Sequence, residues 1–330
     1  YMSFFAKELN LALDMVSISV SLFFVSGGVA GLFVAKLLSR WDVRLIMTLG
    51  AFISAVALYL IGYADSLSEL YLLFILFGIG NTGVSIVVAT FLITQWFPDS
   101  NRSIALSISS TGLSLGGVLL TPYTAYLLDR SGVQGTMPFL ALLFFVLITP
   151  VVFLFIRQAP ILGQSKSSTE FIDDIDYANA IRTRFFICLT LGYVLIMAAQ
   201  VGGLTHLYNR FDEIAGISLA STSIQTLTVS SITGRLLGGW LLTRIKIKPF
   251  LFLNLLIQIC GLALISISET SLLAFLSCVL LGVSVGNLLM LQPLWLAEAF
   301  SARIYPRVFA LSNLYSVIGV AVGPYLIGLM

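Results

Sequence analysis

The chain has 330 residues, 58% of them hydrophobic and only 10% charged, with a mean hydropathy of +1.04 and a formal net charge of +2. A soluble domain is about 45–50% apolar and about 25% charged, so a water-soluble globular protein is excluded. A charge balance this close to zero offers no basic surface to nucleic acid.

A bilayer core is crossed by about 20 apolar residues in a helix. Residues 1–9, "YMSFFAKEL", read as the tail of an earlier span. Ten complete runs follow in chain order, near 16–38, 43–63, 70–95, 103–128, 136–156, 185–209, 217–242, 249–267, 271–296 and 306–330. They have to be helices, because hydrocarbon gives backbone amides no partner. The one long polar interruption, 157–184, places Phe171, Ile172, Ile175, Ala178 and Ile181 at helical spacing after Ser168 or Thr169. It reads either as a short amphipathic helix on the membrane surface or as a solvated linker, and it divides the chain into 1–156 and 185–330. Tyr1 and the apolar run ending at Met330 suggest a chain cut at both ends, and no cleavable signal peptide is recognisable.

The basic residues sort by side. Loops after the odd-numbered spans hold Lys36, Arg40 and Arg44; Arg102; Arg157, Lys166, Arg182 and Arg184; Arg244, Lys246 and Lys248; and Arg303 and Arg307. The other side holds Lys7, Arg130 and Arg210. The richer side is therefore cytoplasmic. Trp41, Trp96, Trp240 and Trp295 all fall near it, as interfacial anchors do. Cys188, Cys260 and Cys278 lie singly in apolar runs and are expected to be buried thiols, with no disulfide frame or metal site.

The stretch "FGIGNTGVSIVV" spaces Gly78, Gly80 and Gly83 as the dinucleotide fingerprint G-x-G-x-x-G. That motif needs a strand before it and a soluble helix after it; here the glycines lie inside an apolar run. Small residues along a membrane helix instead let two backbones approach. Gly112 and Gly116 before Pro122, Gly282 and Gly286, and Gly323 before Pro324 read the same way.

The chain also repeats itself. "LLSRWDVRLI" parallels "LLTRIKIKPF" 204 positions on, pairing Ser39 with Thr243, Arg40 with Arg244 and Arg44 with Lys248; Gly78 pairs with Gly282 at the same offset, and Pro122 with Pro324 at 202. An even number of crossings separates the paired loops, so the two halves have the same orientation, one of the known ways to build a transporter.

"AKLLSRWDVR" resembles the major facilitator motif after the second helix, usually G-R-L-x-D-R-x-G-x-R. "WFPDSNRSIALSISSTGLSLGGVLLTP", "GGLTHLYNRFDEIAGISLASTSI" and "ITGRLLGGWLLTRI" resemble the monocarboxylate and oxalate/formate branch of that superfamily. The resemblance covers nearly the whole chain. It implies an all-α integral membrane protein: a two-lobe bundle of parallel pseudo-repeats with about ten complete transmembrane helices, the second to the eleventh. Ser39 and Thr243 replace the motif's acidic residue, which weakens its charge relay. Arg40, Arg44, Arg244 and Lys248 are then either braces for the cytoplasmic loops or simple topology signals.

Arg235 lies eight residues before Thr243, about 12 Å inside the helix end at 1.5 Å per residue. A charge at depth costs about 2.5–3.5 kcal/mol and usually faces a cavity; snorkelling to the surface is the plainer alternative. The family resemblance implies an anion-binding arginine in this "GR" pair. One turn earlier stands Ser231, where animal monocarboxylate carriers often have an acid. The lysine that oxalate exchangers carry in their eleventh helix has no counterpart in 306–330. His206, the one histidine, is a candidate proton relay or substrate contact, with a structural hydrogen bond favoured. Asn81, Gln200, Gln225, Gln292 and Asn313 are polar groups in apolar spans that either line a pathway or join helices. Tyr123 and Tyr126, beside Pro122, could donate to a carboxylate or simply pack.

The expectation is a secondary carrier of small organic anions by alternating access, through anion exchange or proton coupling. A carrier of neutral or amphipathic solutes with a structural Arg235 is the alternative. An enzyme is disfavoured, because no H-E-x-x-H and no acidic pair within a span is present. No cofactor, metal or nucleic acid is called for. The expected partners are the solute, a proton as the candidate coupling ion, and the bilayer, and the chain is expected to act as a monomer in the cell membrane.

Overall fold

The computed structural model describes residues 4–6, 12–38, 40–97, 99–157 and 176–328. Ser39 and residues 158–175 lie outside the described residues, and with them Phe171, Ile172 and Ile175 of the proposed amphipathic helix; Ala178 lies in the four-residue helix Tyr177–Ala180, which Ile181 follows. Regular structure among the described residues is helical throughout, with no strand. The helices are α1 (Leu13–Leu37), α2 (Val43–Ile61), α3 (Leu67–Thr82), α4 (Ile86–Trp96), α5 (Asp99–Phe155), α6 (Tyr177–Ala180), α7 (Arg184–Leu241), α8 (Ile247–Ile267), α9 (Ser271–Ala299) and α10 (Tyr305–Gly328).

Where described, each of the ten apolar runs is mainly helical, but the boundaries differ from expectation. Among the described residues, eight stretches are long and apolar enough to cross a membrane. The run 70–95 is two helices, broken at 83–85. The runs 103–128 and 136–156 both lie in the 57-residue α5, which bends at Gly132, where φ is 62° and ψ −172°. Laid out straight at 1.5 Å per residue, α5 would run about 85 Å, far more than one bilayer core of about 30 Å, so the glycine marks the turn between two crossings. The runs 185–209 and 217–242 likewise share α7, whose connecting residues are helical.

The contacts group the chain into two compact units. One comprises Tyr1–Gln95, Leu119–Glu170 and Ala302–Leu314; the other comprises Trp96–Val118, Phe171–Ser301 and Tyr315–Met330. In the first, α1, α2 and α3 pack through small residues. A Cβ at Gly78 would meet the Phe23 carbonyl and Ser26 Oγ of α1; one at Gly80 would lie 2.6 Å from Ser54 N of α2; one at Gly50 would lie 2.7 Å from Gly83 Cα. The dinucleotide spacing therefore serves two helix crossings, Gly78 against α1 and Gly80 and Gly83 against α2.

The second unit repeats this geometry at the 204-residue offset. A Cβ at Gly282 would meet the Leu227 carbonyl and lie 2.8 Å from Ser230 Cβ, the counterparts of Phe23 and Ser26. Where the first unit brings Gly50 against Gly83, the second joins Asn287 Nδ2 to Asn254 Oδ1 at 3.0 Å. Where Gly80 touches Ser54, Ser284 Oγ donates to Gln258 Oε1 at 3.3 Å. The second unit thus ties with amides the crossings that the first closes with bare backbone. Either device suits a bilayer, where helices gain little from apolar burial and associate through close packing and hydrogen bonds.

The caps repeat too. Ser66 accepts from Glu69 N at the start of α3, and Thr270 accepts from Leu273 N at the start of α9. Each satisfies one orphan amide. Ser66→Ala and Thr270→Ala are expected to lower stability by similar amounts, about 1 kcal/mol each, read from thermal melts of the detergent-solubilised chain; a large disparity would contradict their equivalence.

All three cysteines are free thiols, but Cys188 and Cys260 are exposed and only Cys278 is buried. The expectation of burial is corrected for the first two. Their apolar surroundings are the outward faces of membrane helices, which lipid covers as readily as protein.

Candidate functional site

Arg235 sits on α7 with 1% of its surface exposed, the largest of the fully buried side chains. It neither reaches bulk solvent nor faces outward. Nε donates to the Gly286 carbonyl at 3.0 Å, and Nη1 donates to the Ser110 carbonyl. Among the described residues no carboxylate pairs with it. A guanidinium has five N–H donors, so the two carbonyls leave part of the fork available.

The room for this side chain comes from Gly286. A Cβ there would meet the Ser231 carbonyl and lie 3.3 Å from Arg235 Cβ. At the matching crossing of the first unit the residues are Gly31 and Thr82, with Thr82 Oγ1 donating to the Gly27 carbonyl at 3.0 Å. Large and small residues have exchanged sides, and the exchange admits the cation.

The wall opposite is the start of α5. Ser103 Oγ donates to the Gly239 carbonyl at 2.9 Å. A Cβ at Gly239 would lie 2.5 Å from Ser107 Cβ. Ser110 Oγ turns back to the Leu106 carbonyl at 2.7 Å, and Thr111 Oγ1 to Ser107 at 2.8 Å. The Ser110 and Thr111 hydroxyls are spent on their own helix, which leaves the Ser110 carbonyl to hold the guanidinium.

A line of buried amides lies in the same unit. Asn254 Nδ2 donates to the Phe250 carbonyl at 2.8 Å, and Gln258 Nε2 to the Ile196 carbonyl at 3.3 Å. Asn287 Oδ1 and Gln200 Oε1 are buried without a hydrogen-bond partner. An amide oxygen left so is an acceptor available to a ligand or to water. Asn254, Gln258 and Asn287 were not singled out from sequence; the i, i+4 spacing of the first two on α8 was the available signal.

The other expected site residues are dispersed. His206 Nε2 donates to the Pro324 carbonyl at 3.1 Å, tying α7 to α10. Gln292 Nε2 donates to Ser316 Oγ at 2.9 Å, tying α9 to α10. Tyr126 is half exposed beneath the Arg130 guanidinium, 4.7 Å from the ring centre, and Tyr123 meets Phe139 edge-on at 6.3 Å. Asn81 and Asn313 are half-buried. None of these bonds to Arg235.

Of the loop cations, Arg44 Nε donates to the Ile156 carbonyl at 2.7 Å, just past the end of α5, where a basic group suits the helix dipole. Arg244 lies 4.4 Å over the Trp240 ring. Arg40 and Lys248 are exposed.

Among the glycines, Gly323 of α10 packs on α7, where a Cβ would lie 2.8 Å from Ala198 Cα. Gly112 and Gly116 differ from expectation: a Cβ at either meets nothing within 4 Å. Their neighbours Leu113 and Leu115 are exposed as well, so the small side chains there face open space instead of a backbone. Pro122 and Pro324 both lie inside helices.

Comparison with known proteins follows this architecture. The chain is 24% identical over 328 residues, 96% of its length and 79% of the relative's, to an uncharacterised MFS-type transporter, YcxA, of Bacillus subtilis. It is 26% identical over 314 residues, 93% of its length and 66% of the relative's, to the MFS-type transporter pynF of Aspergillus niger. Its fold matches the fucose:proton symporter FucP of E. coli with TM-score 0.76 at 13% identity, covering 96% of this chain and 83% of that one. It matches the human organic anion transporter MFSD10 with TM-score 0.76 at 16% identity, covering 98% and 82%. The family model for the Major Facilitator Superfamily matches residues 1–324. With its helical two-lobe fold and, among the described residues, eight apolar stretches fit to cross a bilayer, this chain is a multi-pass membrane transporter of the major facilitator superfamily, a family of carriers and not of enzymes.

Proposed function

We propose that the chain is a secondary carrier of small organic anions, of the monocarboxylate kind, with Arg235 as the anion-binding group. The observation that carries this reading is a buried guanidinium with no carboxylate partner among the described residues. A buried cation held only by carbonyl dipoles gains most from a mobile anion, and a guanidinium grips a carboxylate with two parallel hydrogen bonds. The fold likeness to a human organic anion transporter supports the reading.

In this proposal the halves 1–156 and 185–330 are the rocking lobes, supported by their 204-residue repeat. The chain lies in the cell membrane with the 157–184 linker and the Arg40, Arg44, Arg244 and Lys248 loops on the cytoplasmic side, where those cations brace helix ends during the movement. Substrate neutralises Arg235, so the loaded carrier reorients more readily than the empty one and exchange of anions outruns net uptake. Proteoliposomes preloaded with unlabelled lactate or formate are expected to take up the labelled anion several-fold faster than empty ones; equal rates would rule out exchange.

A second reading has its own support. Both hydrogen bonds of Arg235 go to backbone carbonyls, which suits a structural cation in a carrier of neutral or amphipathic solutes.

A further inference from the structure

A cleft of about 560 Å³ opens on the first unit between α1, α2 and α3. Its floor is Ala30, Gly50 and Gly83, and its walls include Phe33, Leu49 and Ile79. Phe33, Leu49, Ile79 and Val29 are exposed, and all four lie within apolar stretches long enough to cross the membrane, so the cleft opens toward hydrocarbon. Along α1 it runs from Ser26 to Leu37, about 16 Å at 1.5 Å per residue. That is close to one leaflet, half of a hydrocarbon core of about 30 Å.

The cleft ends at Trp41, in the turn after α1, where an indole sits at headgroup level. Beside it the charge changes. Lys36 and Arg40 are exposed, and Arg44 is half-buried with Nε on the Ile156 carbonyl. The one acid of the turn, Asp42, accepts from Arg44 N at 2.8 Å as the cap of α2. The mouth is therefore net cationic, while the cleft below it is apolar apart from Ser26. That sequence of apolar slot, interfacial ring and basic rim matches one molecule: a lipid with a single phosphate charge in its headgroup.

We propose that this cleft binds an anionic phospholipid of the leaflet facing the 38–42 turn, with one acyl chain lying between Phe33, Leu49 and Ile79 and its phosphate at Arg40. Trp41 reports on the site. In a chain with Trp96→Phe, Trp240→Phe and Trp295→Phe, Trp41 fluorescence is measured in phosphatidylcholine vesicles containing brominated phosphatidylglycerol or brominated phosphatidylcholine. The brominated anionic lipid is expected to reach half-maximal quenching at roughly fivefold lower mole fraction, as one basic contact to anionic lipid provides. Arg40→Gln, on an exposed turn, is expected to bring the two lipids level. Ala30→Phe, which fills the floor, is expected to lower the quenching by the anionic lipid to the level of the neutral one. Equal quenching by the two lipids in the unmutated site means ordinary surrounding lipid and overturns the proposal. Absence of quenching by either means that protein covers the cleft, and overturns it as well.

Discussion

Arg235→Ala is expected to weaken binding of a small carboxylate by about 30-fold or more. Truncating one partner of a buried, hydrogen-bonded charge pair costs about 2 kcal/mol or more, and every 1.4 kcal/mol is about tenfold. Arg235→Lys should recover only part of this, because a point charge cannot reproduce the planar fork. The change need not unfold the protein. Two hydrogen bonds from a charged donor are lost, at about 1.5–3 kcal/mol each, while the cost of holding a charge at depth, about 2.5–3.5 kcal/mol, is relieved. The difference is about 0–3 kcal/mol, so binding and stability are measured side by side. Titration calorimetry with lactate on the solubilised chain, beside a thermal melt, separates the two. If the preferred ligand is uncharged and the variant binds it normally, Arg235 is structural and the neutral-solute reading stands instead.

Gly282→Ala and Gly112→Ala are expected to have opposite effects on melting, although both replace a glycine in an apolar helix. At Gly282 a methyl group enters the Leu227 carbonyl and the Ser230 side chain. The crossing of α7 and α9 must open, which costs about 1–3 kcal/mol in a well-packed interior. At Gly112 the same methyl meets nothing within 4 Å, and removing a flexible glycine from a helix gains about 0.5–1 kcal/mol. Opposite shifts of melting temperature in detergent would establish the contrast, and equal destabilisation would show that something packs against Gly112. Gly78→Ala is expected to follow Gly282→Ala, since the two occupy equivalent crossings.

The contrast between those glycines shows where reading a sequence stops. Gly78, Gly112 and Gly282 all precede further small residues on apolar helices, and sequence treats them alike. Only the neighbouring helix distinguishes them, because the clash is with backbone carbonyls more than 50 positions away in the chain. The same holds for Gly286: a side chain there would enter the Ser231 carbonyl and press on Arg235 Cβ, 3.3 Å away.

The fusion of predicted spans has a similar cause. Apolar runs reveal that hydrocarbon surrounds them, but a polar interval of a few residues does not say whether the backbone unwinds there. Gly132 turns α5 through a positive φ, while the interval within α7 stays helical. The cysteines err in the same way: in a membrane helix an apolar residue faces lipid or protein equally well, so hydropathy no longer predicts burial.

By itself the sequence determined the membrane class, the helical secondary structure, the parallel repeat and Arg235 as the residue to explain. These follow from composition, from the need to satisfy every amide in hydrocarbon, and from a constant offset, all local or periodic properties. The tertiary structure alone decided which carbonyls hold the guanidinium, which amides remain unpaired, and which glycines carry a crossing. Those depend on groups brought together from distant parts of the chain, where a difference of one ångström separates a hydrogen bond from a clash.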